Sequence, residues 1–447
     1  MIKLKDNTLS FKFPDIPRQL ESLLEQHIQK ILPTLALPSN RTKLVKMLKQ
    51  FIRFGSTWDL RRATPQEKTE DAKRDAAFPE RRKSKWERVN ATAESLTPAD
   101  LEAALRETAN DNAGIDESMA ELDISFQRTL RIPDDGKTYP LPAGAGQFPI
   151  CTIDDFAVPE EWSKRGGVMM PMYQSEALWL GFRADYPFAV KVGAGKINAI
   201  SGEPWSSDFQ QSPQNYVVVP KQPWLDGFSV GEGLIRQFVA MPLGSGFSAE
   251  EQLTGKSEFG GIQLQVCPMR VEDYFQKIVL PSLPEELLEL APALFKKHLA
   301  CRPSGVFRSP PRPLDSMGLA AGGTMRQEIY QDQNEFSDWD QTRSRRCFVH
   351  LCNSLVWRQI TASNPPNPPM TAQEYSKAGI PWFDYYQDNL PALKGSKQLA
   401  GVKSVMTLGM ENNTQPLPEN TSITPTKIVQ YGNARRPRKI REFLDDR

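Results

Sequence analysis

Histidine is scarce in this chain: His27, His298 and His350 are the only three among 447 residues. A metal centre built on several imidazoles is therefore disfavoured. Cysteine is sparse too. Cys151, Cys267, Cys301, Cys347 and Cys352 are odd in number and widely spaced, so they form no disulfide framework and read as reduced thiols in the cytoplasm. No uncharged apolar run approaches the ~20 residues of a membrane helix. The opening stretch MIKLKDNTLSFKFPDIP has no apolar core of signal-peptide length. Neither charge sign is in excess, since Lys+Arg 55 against Asp+Glu 54 leave a formal charge of +1. That balance argues against a nucleic acid or membrane surface held by bulk charge.

Proline, at 37 residues, is abundant. With this length it suggests more than one structural unit, and a packed centre diluted by loops. Leu9–Phe13 alternates apolar and polar residues as a half-buried strand does, and Pro14 and Pro17 stop it. The period then becomes helical through Leu20, Leu23, Leu24 and Ile28, and again from Leu44 to Ile52. Residues 61–88 are crowded with charge of both signs. Arg81-Arg82-Lys83-Ser84-Lys85 could meet phosphate, but Glu67, Glu70, Asp71, Asp75, Glu80 and Glu87 offset it, so a solvated segment is the favoured reading. Thr97-Pro98 resembles a helix start.

Alternation returns from Leu122 to Ile132. The strand-like stretches 9–13 and 122–132 thus bracket a helical, charged block at 18–118, read as an insertion into one β unit. Consecutive strands follow: Phe188–Val192 paired through glycines with Lys196–Ile200, then Tyr216–Val219, Leu234–Met241, Ile262–Cys267, Met325–Tyr330 and Arg346–Cys352. A helix is expected over Leu283–Leu299. Residues 302–316 and 363–369 are Pro-rich connectors, and a capping box at Thr371–Glu374 opens a short helix. The expected fold is α+β, mainly β, with an antiparallel sandwich or barrel-like core. It divides into a first strand (1–17), the helical insertion (18–118), a main β-rich domain (119–406) and a flexible polar tail (407–447).

Motifs for chemistry are weak. Gly244-Ser-Gly246-Phe-Ser-Ala249 fits the dinucleotide pattern, but later glycines leave no room for the long helix it needs. Val192-Gly-Ala-Gly-Lys196 lacks the first glycine and the final Ser or Thr of a phosphate loop, so a hairpin turn is the better reading. His350 and Cys352 share one face of a strand and Cys347 the other, a spacing that reads as core packing rather than a metal or nucleophile pair. Acid pairs such as Glu250-Glu251 are common on solvated turns. The aromatic loops remain: their favoured role is to pin long loops against the sheet, and a ligand or partner groove is the functional alternative. Glu203-Pro-Trp205 and Gln222-Pro-Trp224-Leu-Asp226 are alike, and a groove lined by such aromatics would draw polar contacts from Lys191, Lys196, Asp226 and Arg236, with His350 as a further candidate.

Several phrases carry a resemblance: Phe126–Gly136 (FQRTLRIPDDG), Val190–Ala199 (VKVGAGKINA), Gln222–Gly227 (QPWLDG), Ile235–Gly244 (IRQFVAMPLG), Met325–Tyr330 (MRQEIY) and Gly379–Tyr386 (GIPWFDYY). They resemble a family of uncharacterised proteins of bacteria and fungi, over roughly residues 122–405. The resemblance implies one widespread module in which the first strand lies close to the Phe126 segment. It implies no activity, cofactor or catalytic residue.

The resulting expectation is a cytoplasmic protein-binding or scaffold protein without catalysis, cofactor or metal. Its partner is expected to be a protein, with a small molecule as an alternative and nucleic acid disfavoured. The rival readings are an enzyme, such as a hydrolase with a site of dispersed residues, and a nucleic-acid-associated protein using residues 81–85 and 435–441.

Overall fold

A computed structural model gives the fold and describes residues 1–31, 120–280, 316–385, 390–413, 424–425 and 427–431. The expected helices near 44–52, 97–105 and 283–299 lie outside the described residues, as do the basic runs 81–85 and 435–441, His298 and Cys301. Among the described residues the chain is α+β and mainly β.

Among the described residues twenty strands form three sheets. The ten-stranded sheet runs β1 (Ile2–Lys5), β2 (Thr8–Lys12), β3 (Glu121–Thr129), β9 (Ala177–Ala184), β15 (Leu234–Pro242), β17 (Met317–Arg326), β4 (Thr138–Tyr139). Alongside that path, β6 (Gly144–Gln147), β13 (Trp224–Leu225) and β14 (Gly227–Gly231) pair with β3, β9 and β15. The seven-stranded sheet runs β11 (Ile197–Asn198), β10 (Phe188–Ala194), β16 (Ile262–Pro268), β18 (Arg345–Asn353), β8 (Val168–Met172), β7 (Cys151–Thr152), and β12 (Val217–Val219) pairs with β10. The third joins β20 (Ile428–Tyr431), β19 (Trp382–Tyr385) and β5 (Leu141–Pro142).

Most pairs are antiparallel, but each sheet contains one parallel pair: β17 with β4, β18 with β8, and β19 with β20. The sheets are therefore mixed rather than purely antiparallel. One core unites the two large sheets. Phe126, Leu180 and Phe238 from the first lie in the same buried cluster as Val190, Leu264 and Val349 from the second. Phe13, just after β2, brings its ring centroid within 5.5 Å of that of Phe188 in β10.

The stretches flanking the long intervening block are neighbours: β2 pairs with β3 from Thr8↔Ser125 to Lys12↔Glu121. One helix of that block, Asp15–Ile31, is described. Its Asp15 reaches Arg343 at 2.9 Å.

The strand expected at Met325–Tyr330 lies earlier, at Met317–Arg326. Its sequence, MGLAAGGTMR, has the look of a loop. Small residues are needed because neighbours press on it. A Cβ at Gly318 would stand 2.8 Å from that of Ser248, and one at Gly322 would stand 2.7 Å from a methyl of Val239. At Gly323 the obstacle is the Pro133 carbonyl. The polar segment after residue 407 is also structured in part, since β20 runs beside β19.

Candidate functional site

Alternation decides what each face of the seven-stranded sheet carries. Val190, Val192, Leu264 and Val266 point into the shared core. The opposite face carries a cross-strand row, Lys191↔Gln265↔Arg346, followed by Gly193↔Gln263↔Phe348. Lys191 and Gln265 are nearly inaccessible, at 1% and 2% exposure, because residues 203–210 fold over them.

The Lys191 ammonium donates to the carbonyls of Ser206, at 3.3 Å, and of Asp208. Gln265 Nε2 donates to the carbonyl between them, that of Ser207, at 2.9 Å. Aromatic rings complete the lining, with the Lys191 nitrogen 4.7 Å from the Phe209 centroid and 5.5 Å from that of Trp205. Trp205 lies flush on the sheet because position 193 is glycine: a Cβ there would stand 2.5 Å from ring atom Cε3. Burial pulls the Lys191 ammonium down to about 8 from 10.5.

Cations and rings then alternate across the face. The exposed Arg346 guanidinium sits 5.8 Å from the Trp205 centroid and donates to Gln263 Oε1 at 3.1 Å. Gln263 Nε2 in turn holds the Gly195 carbonyl at 2.6 Å, in the two-residue turn that presents Lys196. Lys196 Nζ and Arg165 Cζ each lie 4.0 Å from the Phe259 centroid. Arg165 also approaches Phe348, whose centroid is 4.4 Å from that of His350. At the far end His350 stacks on Trp162 at 4.8 Å, with Nε2 3.1 Å from the Gly166 carbonyl. Among the described residues, Lys191, Lys196 and Arg346 have no carboxylate within ion-pair distance.

Lys191, Lys196, Trp205 and His350 therefore share this face, whereas Trp224 and Arg236 belong to the ten-stranded sheet and Asp226 links two of its strands, β13 and β14. Trp224 gives its carbonyl to Gln222 and Gln327. The buried Asp226 accepts from Gln327 Nε2 at 2.9 Å, and burial pushes its carboxyl up to about 8. Arg236 donates to the Val402 carbonyl at 3.2 Å. The likeness of the two Pro-Trp loops thus does not bring them to one groove.

Arg165, Arg346, Phe259, Gln263 and Gln265 escaped the sequence reading. A signal was present in Ile262-Gln-Leu-Gln-Val266: two glutamines alternating with aliphatics on a central strand need partners on a covered face.

The glycine motif has its own anion. In Gly244–Ala249 the amides of Gly244 and Gly246 donate to Glu251 Oε1 at 2.7 and 2.9 Å, and Ser248 caps the helix Ala249–Thr254. Burial pushes the Cys347 thiol up to about 12, and the Cys267 thiol higher still. Among the described residues no three His, Cys, Asp or Glu side chains are placed to hold a metal ion. No described helix is long and apolar enough to cross a membrane.

Comparison with known proteins found no matching family model, no matching curated protein and no matching solved structure.

Proposed function

We propose that this chain is a non-catalytic protein-binding or scaffold protein, and that the cation–aromatic strip on the seven-stranded sheet engages an acidic segment of its partner. One observation carries the reading: among the described residues, Lys196 and Arg346 reach the strip with no carboxylate within ion-pair distance. Cations left uncompensated on an ordered face are complementary to an anionic partner and steer its approach. The rings serve these cations, which favours carboxylates over stacked bases as the ligand. The Lys191 amine suits imine chemistry by its lowered pKa alone; its 1% exposure and its two carbonyl contacts support a structural use instead. The four described cysteines are free thiols, which supports placing the protein in the reducing cytoplasm.

The test uses the full chain and a fluorescein-labelled hexaglutamate peptide, read by fluorescence anisotropy at low salt. The expected result is binding that weakens with salt and falls at least about tenfold in Lys196→Glu/Arg346→Glu. A labelled hexalysine peptide should not bind. Equal binding by the double variant, or none by the wild type, would refute the assignment.

A further inference from the structure

Two titratable side chains are buried directly beneath the strip, and among the described residues neither has an ion pair. One is Lys191. The other is Glu250, in the helix Ala249–Thr254, at 2% exposure. Its two oxygens accept the amides of Phe259 and Gly260 at 3.1 and 2.7 Å. The same carboxylate lies against Gly195, where any Cβ would collide with Oε2. Glu250 therefore touches both turns that build the outer half of the strip: the one that presents Lys196 and the one that carries Phe259.

We propose that the strip takes up protons when it binds an acidic segment, with Glu250 and Lys191 as the groups that hold them, so that affinity is highest below neutrality. This rests on the reading of the strip as an acid-binding face.

Among the described residues the charges facing each group are few. Around Glu250 stand Arg165 from the helix Glu160–Arg165, Lys196 from the β10–β11 turn, and its neighbour Glu251, whose carboxylate is engaged by Gly244 and Gly246. Around Lys191 stand Asp208 and Glu203 from the covering loop, Arg346 from β18 and Cys267 from β16. Burial pushes Glu250 up to about 7, against its two amides and Arg165, which pull the other way. Burial brings Lys191 down to about 8.

Both groups act in the same direction. As pH rises through these values Glu250 gains a negative charge and Lys191 loses a positive one. The strip thus becomes less attractive to carboxylates whose own ionisation, near pH 4, is complete. A unit charge within about 6–8 Å of the ligand, partly screened, changes affinity about tenfold. By linkage, a bound anion favours the protonated form of both groups, so binding between their pKa values draws protons from solution.

The decisive experiment is calorimetric titration of the full wild-type chain with hexaglutamate near pH 7.5, in two buffers of different ionisation enthalpy. The expected result is net proton uptake, with affinity falling about tenfold from roughly pH 6 to 8.5. Binding without proton uptake and with a flat pH profile overturns the proposal, while the loss in Lys196→Glu/Arg346→Glu would leave the strip itself standing. No binding at any pH sinks both. Glu250→Gln should flatten the lower part of the profile. A pH profile unchanged in a folded Glu250→Gln variant would refute the assignment to that carboxyl. Should Glu250→Gln fail to fold, the wild-type calorimetry decides alone.

Discussion

Lys191 and Gln265, cross-strand partners on β10 and β16, between them hold three successive carbonyls, those of Ser206, Ser207 and Asp208. The covering loop is fixed by side chains of the sheet rather than by strand pairing of its own at these residues. Lys191→Met keeps an unbranched side chain of similar length and removes the donor. The expected outcome is faster amide hydrogen exchange confined to residues 203–210 and a stability loss of about 1–3 kcal/mol, read by urea unfolding. Exchange unchanged in that loop would contradict the clamp.

Gly193 sets the position of Trp205. Gly193→Ala puts a methyl group into the indole and should tilt it off the sheet. A shifted tryptophan emission and at least a fivefold loss of hexaglutamate affinity are expected, with about 1–3 kcal/mol of destabilisation. Retained affinity would show that the ring does not organise the strip.

The Pro-rich stretch 363–369 is tied down by a buried ion pair. Arg128 donates to Glu176 Oε1 at 2.7 Å and to the Asn367 carbonyl at 2.6 Å, and the Tyr173 hydroxyl donates to the Pro366 carbonyl at 2.8 Å. The Glu176 carboxylate is inaccessible. Arg128→Met leaves it uncompensated and should cost about 3–5 kcal/mol. Tyr173→Phe removes a single hydrogen bond and should cost only about 1 kcal/mol. Urea unfolding measures both, and proteolysis near residue 367 should accelerate more in the arginine variant.

Asp226 gives a pH signature of stability separate from that of the strip. Its ordinary value of 3.8 rises to about 8 on burial. Between those values the folded chain retains a proton that the unfolded chain has released, so stability falls as pH climbs from about 4 to 8 and the penalty is complete above 8. Asp226→Asn keeps the acceptor for Gln327 and should remove roughly 3–5 kcal/mol of that decline. Urea midpoints across this range check it, and a slope identical to wild type would contradict the assignment.

Period-2 alternation made β3, β15, β16 and β18 legible in the sequence, because each buries one face or both among aliphatics. The parallel pairings were not legible, since β18 and β8 are more than a hundred residues apart and periodicity carries no information about distant partners. β17 was hidden by its glycines and alanines, whose role is to admit neighbours rather than to bury area. Half of the candidate site was visible for a similar reason. Lys191, Lys196 and Trp205 stand in a conspicuous hairpin and loop, whereas Arg346 and Gln265 join them only through strand register. Trp224 and Asp226 lie away from the strip, because a loop motif can repeat without sharing a surface.

The pairing of β2 with β3 joins residue 12 to residue 121, and the Phe13 amide donates to the Ala120 carbonyl at 3.0 Å. β2 is hydrogen-bonded on both edges, and Leu9, Phe11 and Phe13 are buried in the shared core. Covalent continuity across residues 32–119 is thus not what holds the first strands in place. A single protease cut in that stretch should yield two polypeptides that migrate as one species until denatured, and the two pieces made separately should find each other and rebuild the sheet.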